Sequence, residues 1–184
     1  MFEELLSRLA RAFSENKVSY MVIGGQAVLV YGEPRLTRDI DITLGLTPEF
    51  TSQIVELCRD IGLIPLIADP EKFTRRTFVL PVKDQESDIR VDLIFSLSEY
   101  ERQALKRAKP LPIGKTSVNI ASVEDLIIHK IIASRPRDLE DVQKILLKNP
   151  DFDLKYVEKW LTRLEEATGQ DYLTVFKEVL KNSK

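Results

Sequence analysis

The chain has 184 residues, 43% hydrophobic and 30% charged, with 27 Lys+Arg against 29 Asp+Glu and a formal net charge of -2. That length suits one domain or a domain with a small appendage, the apolar content excludes a disordered chain, and the charge balance argues against a nucleic-acid binder held by bulk electrostatics. One cysteine (Cys58) and one histidine (His129) exclude an internal disulfide and a zinc cluster, and the absence of a secretory or membrane-length apolar run makes the cytoplasm the expected location.

The elements follow in chain order. Phe2, Leu5, Leu6, Leu9, Ala12 and Phe13 fall at helical spacing and predict a helix over Phe2 to Glu15, with Asn16 as its stop. Val18 to Ile23 is a β-rich run that meets Gly24-Gly25. A helical turn or two over Gln26 to Tyr31 then ends at Gly32 and Pro34. Asp39 to Leu44 (DIDITL) alternates polar and apolar, a strand pattern. Thr47-Pro48 starts a helix expected to reach Ile61 and stop at Gly62. Ile64 to Ile67, Thr77 to Val82 and Ile89 to Phe95 are further strands. Ser98 and Glu101 form a capping box for a helix over Ser96 to Arg107. A hairpin turns at Gly114. From Ser122 onward the pattern is helical, over Val123 to Ala133, Pro136 to Leu147, Leu154 to Ala167 and Asp171 to Lys181. The expected division is a mixed α/β (α+β) domain over residues 1–121 and a helical part over 122–184.

Three acids stand out by placement. Asp39 and Asp41 are two apart on a strand and share one face, while Ile40 and Ile42 take the other. In IRVDLIF, Ile89, Val91, Leu93 and Phe95 face the core and leave Arg90, Asp92 and Ile94 opposite. An acid among apolar neighbours needs a partner. Arg38 or Arg90 would make an ion pair. A hard divalent ion such as Mg²⁺, which prefers oxygen ligands, would instead gather all three carboxylates and leave room for phosphate. Gly24-Gly25 lies between a strand and a helix, where backbone can approach a phosphate at a partly positive helix end.

The string GGQAVLVYGEPRLTRDIDI resembles the nucleotidyltransferase superfamily of polymerase-β-like fold. It is most similar to the small bacterial abortive-infection and toxin-type members and to the aminoglycoside and lincosamide nucleotidyltransferases. The matching residues are Gly24, Gly25 and Ala27, then Arg35, Thr37, Asp39, Ile40 and Asp41. The resemblance implies that Asp39, Asp41 and Asp92 are catalytic and bind metal, two Mg²⁺ ions with Mn²⁺ as a substitute. Asp92 would help activate the attacking hydroxyl. Gly24 and Gly25 would hold the triphosphate, with Arg35 and Thr37 also on the nucleotide. A second stretch, VEDLIIHKIIASRPRDLEDVQKIL, looks like the toxin-type branch, with Lys130 on one helix and Arg137, Asp138 and Asp141 opening the next. It implies that Lys130 meets the leaving phosphates and that Asp138 orients Lys130 or touches the nucleotide. Lys130 also reads, from its apolar surroundings alone, as a lysine snorkelling out of a core.

The implied reaction moves a nucleoside monophosphate from an NTP to a hydroxyl acceptor and releases pyrophosphate. The acceptor stays open between tRNA, with a cognate antitoxin as partner, and a small hydroxyl-bearing molecule such as an antibiotic. A nucleotide-binding regulatory protein with little catalysis is the third reading, against which the intact acid triad counts.

Overall fold

The structure, a computed structural model, describes residues 1–183. Helix α1 (Phe2–Glu15) has the limits its apolar stripe predicts and buries Leu5, Leu6, Leu9 and Phe13. Strand β1 (Tyr20–Ile23) is buried throughout and passes directly into α2 (Gly24–Tyr31), two residues earlier than expected. β2 (Asp39–Leu44) is as predicted. The helix expected from Pro48 is split into a 3-10 turn (Pro48–Phe50) and α3 (Thr51–Asp60), which buries Cys58. β3 (Leu63–Pro65) follows.

One element was not anticipated. Helix α4 (Pro70–Thr77) is capped by the Asp69 carboxylate, which accepts from the Lys72 backbone N–H. Its C-cap, Phe78, takes φ 59°, so the next strand cannot begin at Thr77. β4 runs Val79–Asp84 and β5 Arg90–Phe95. α5 (Glu99–Arg107) carries the complete Ser98–Glu101 capping box. β6 (Lys109–Ile113) and β7 (Thr116–Ile120) form the hairpin around Gly114. Four helices end the chain: α6 (Val123–Ala133), α7 (Pro136–Lys148), α8 (Leu154–Thr168) and α9 (Tyr172–Asn182).

The chain divides into two compact units. The first comprises Met1–Gly25 and Thr37–Ala121, the second Gln26–Leu36 and Ser122–Lys184. The seven strands among the described residues lie in the first unit as one mixed sheet, ordered β3-β4-β5-β2-β1-β7-β6. β2 sits centrally, antiparallel to β1 and parallel to β5. Ile40, Ile42, Leu44, Val91 and Leu93 are fully buried along this pair. At roughly 1.5–3 kcal/mol per large apolar side chain, they hold the two strands in one register. The second unit is helical. Leu126, Ile127, Ile131, Val142, Ile145, Leu161 and Phe176 form its solvent-free interior. Among the described residues no helix is long and apolar enough to cross a membrane.

Candidate active site

The acids of β2 and β5 meet in the first unit. The parallel ladder pairs Asp41 with Asp92 and Asp39 with Arg90. Register partners in neighbouring strands share a face, and so do residues two apart on one strand. Asp39, Asp41, Arg90 and Asp92 therefore lie on the same side of the sheet. The residues between them, Ile40 and Val91, are fully buried on the opposite side. Asp39 is exposed, while Asp41 and Asp92 are partly covered.

Of the two arginines the sequence offers to Asp92, the structure uses Arg90. Its Nε donates to Asp92 Oδ1 at 2.9 Å. That hydrogen bond, opposed by desolvation and reinforced by the charges of Asp92, Asp39 and Asp41, raises the Arg90 pKa above its ordinary value. The guanidinium thus senses all three carboxylates.

Gly24 closes the site on the β1 side. Ile23 is the register partner of Asp41, so the first residue of α2 lies beside that acid. Gly24 has φ +61°, and a Cβ on it would stand 2.0 Å from Asp41 Oδ2. Only glycine allows both the left-handed turn from strand to helix and the approach to the carboxylate. Gly25 and Thr37 are buried in the same unit.

The oxygen-only donor set, three carboxylates on one face, suits a hard divalent cation in kind. As the side chains stand, no group of three or more His, Cys, Asp or Glu among the described residues is gathered into a cage for one. The bond from Arg90 to Asp92 accounts for one of the oxygens held elsewhere.

The remaining candidate residues assemble in the second unit. Lys130 Nζ donates to Asp138 Oδ1 at 2.6 Å and lies 2.9 Å from Asp141 Oδ2. Arg35 grips Asp141 with both Nε and Nη2, at 3.0 and 2.9 Å. Arg135 Nε donates to Asp138 Oδ2 at 2.5 Å. Lys130, Asp138 and Asp141 are all buried, at 5%, 2% and 3% exposure. Burial pushes the Asp138 carboxyl up, but hydrogen bonds from Arg135 and Lys130 outweigh it and leave the pKa below the ordinary value. Lys130 is therefore engaged inside the unit, with no snorkelling to water. Asp138 is its hydrogen-bond partner on α7. Asp141, whose role the sequence left open, joins Lys130 to Arg35. Its helical spacing from Asp138 was the available signal. Arg137 Nη2 reaches the Leu36 carbonyl at 3.2 Å. The cluster thereby ties α6, α7 and the segment after α2 together.

A family model described as "Nucleotidyl transferase AbiEii toxin, Type IV TA system" matches residues 4–182. The chain belongs to this family. The enzyme is a nucleotidyltransferase, and the fold agrees. An antigenic nucleotidyltransferase-like protein from Paracoccidioides brasiliensis superposes with TM-score 0.59 at 16% identity, over 95% of this chain and 91% of that one. The antibiotic-resistance factor ANT(2'')-Ia gives TM-score 0.54 at 15% identity, over 98% and 91%. The lincosamide antibiotic adenylyltransferase LnuA, solved with lincomycin bound, gives 0.50 at 18% identity, over 72% and 89%. No curated protein matches the chain.

Proposed function

We propose that the enzyme transfers a nucleoside monophosphate from an NTP to a hydroxyl of tRNA, with release of pyrophosphate. In this reading Asp39, Asp41 and Asp92 hold Mg²⁺. The observation that carries it is the register that sets Asp41 against Asp92, with Asp39 on the same face and Gly24 alongside. Bound there, a divalent ion supplies positive charge to the triphosphate and to the attacking oxygen. Gly24 and Gly25 leave the backbone at the start of α2 open to phosphate oxygens. Asp92, the acid held by Arg90, accepts the proton of the attacking hydroxyl. Arg35, Lys130 and Asp138 serve the nucleotide by fixing the Gln26–Leu36 segment that follows the glycine turn, and Thr37 begins the approach to Asp39. Catalysis is then positioning and charge neutralisation.

An RNA acceptor is supported by α4. It presents Lys72, Arg75 and Arg76 to solvent beside Phe73 and Phe78, which are 37% and 40% exposed. Cations interleaved with exposed aromatic rings suit phosphates and unstacked bases. The toxin–antitoxin character of the family adds a cognate antitoxin as partner.

The test incubates the protein with each labelled NTP, Mg²⁺ and total RNA, for wild type and for Asp39→Ala and Asp92→Ala. Label on tRNA from wild type alone is the expected result. Wild type that labels no RNA overturns the acceptor, and transfer retained by either folded variant overturns the site.

A further inference from the structure

We infer that Arg90 is the resident counter-ion of the carboxylate face, holding Asp92 when no divalent ion is present and competing with that ion for it. The inference rests on the reading that the three acids bind a divalent cation. Arg90 stands opposite Asp39 in the β2–β5 ladder and two residues before Asp92 on its own strand. Its Nε bond to Asp92 Oδ1 occupies an oxygen that a cation would need.

A purely structural role is poorly served by this geometry. The Arg90 side chain is 54% exposed, and ion pairs that wet contribute little to stability. The ladder between β2 and β5 already sets the position of Asp92 through the buried Ile40, Ile42, Val91 and Leu93. Arg90 keeps its proton at any working pH, so it yields the carboxylate only by moving. A long, half-exposed side chain at the start of a strand is able to do so. Its presence lets three acids share a face before metal arrives, and it weakens the hold on the metal afterwards.

The experiment titrates Mn²⁺ into the metal-free protein by calorimetry, without nucleotide, for wild type, Arg90→Gln, Arg90→Lys and Arg90→Gln in an Asp92→Asn background. Removing a positive charge a few ångströms from the site should tighten Mn²⁺ binding about tenfold in Arg90→Gln. Arg90→Lys should stay near wild type, and the gain should shrink when Asp92 is already neutral. A folded Arg90→Gln that binds Mn²⁺ equally or more weakly than wild type overturns the inference while leaving the metal reading intact. Absence of Mn²⁺ binding in all four proteins overturns the metal reading itself and the inference with it.

Discussion

Replacing Gly24 by alanine puts a methyl group where the structure has an acid. Two costs arise and can be separated. The first is conformational: φ +61° is left-handed, and an L side chain there costs about 1–2 kcal/mol. The second is steric. The new Cβ would lie 2.0 Å from Asp41 Oδ2, 2.8 Å from its Cγ and 3.0 Å from its Cβ. The carboxylate end is able to rotate away, but the Asp41 Cβ is fixed by the β1–β2 register. Forced repacking of this kind adds about 1–3 kcal/mol. The combined loss of about 2–5 kcal/mol lowers the melting midpoint by roughly 10 °C, at ~2–4 °C per kcal/mol for a chain of this size. Gly169→Ala is the internal control. It has φ +70° and nothing within 4 Å of its Cβ, so it carries the conformational cost alone. Thermal melts by circular dichroism should rank wild type above Gly169→Ala above Gly24→Ala. Nucleotide transfer, measured well below both midpoints, should be unchanged in Gly169→Ala. In Gly24→Ala it should fall at least about a hundredfold, because Asp41 is turned out of place. A Gly24→Ala protein that melts with Gly169→Ala and still transfers refutes the reasoning.

Lys130→Met leaves Asp138 and Asp141 buried with only their arginine partners, and breaking a buried pair from one side costs about 3–5 kcal/mol. The urea midpoint should drop accordingly, and an unchanged midpoint would show that the lysine is dispensable to the helical unit. Stability should also fall in acid. Asp84 is buried against Arg8 and Ser87, and despite the opposing push of burial its pKa is lowered, as is that of Asp138. A carboxyl lowered on folding stabilises fully above its unfolded pKa, and that contribution is lost as pH falls below the unfolded value of about 4 and through the lower folded one. Urea midpoints from pH 7 to pH 2 should decline steeply below about pH 4, and less steeply in Asp84→Asn and Asp138→Asn, which start lower at neutral pH. Equal acid slopes in all three proteins would remove these two carboxyls as the cause.

Local patterns were legible where each residue answers to its near neighbours. The stripe of α1, the alternation of DIDITL and the Ser98–Glu101 box each specify an element through spacing alone. Helix α4 carried its own signal in Asp69-Pro70 but is short, and the apolar run after it reads equally as an early strand. The start of α2 depended on Gly24 adopting a positive φ that residue type permits without requiring.

The sequence by itself determined which acids share a face, because side-chain direction on a strand has a period of two. It also placed glycines beside a helix start, an arrangement set within a few residues. Only the tertiary structure decided that Asp41 stands against Asp92, that Arg90 rather than Arg38 serves Asp92, and that Arg35 and Lys130 converge on Asp141. Apart from Arg90 and Asp92, two residues apart on one strand, those pairings join separate segments of the chain. Their registers are chosen by the burial of Ile40, Ile42, Val91 and Leu93 in the sheet and of Ile131, Val142 and Ile145 in the helices, a sum over both partners that neither segment contains alone.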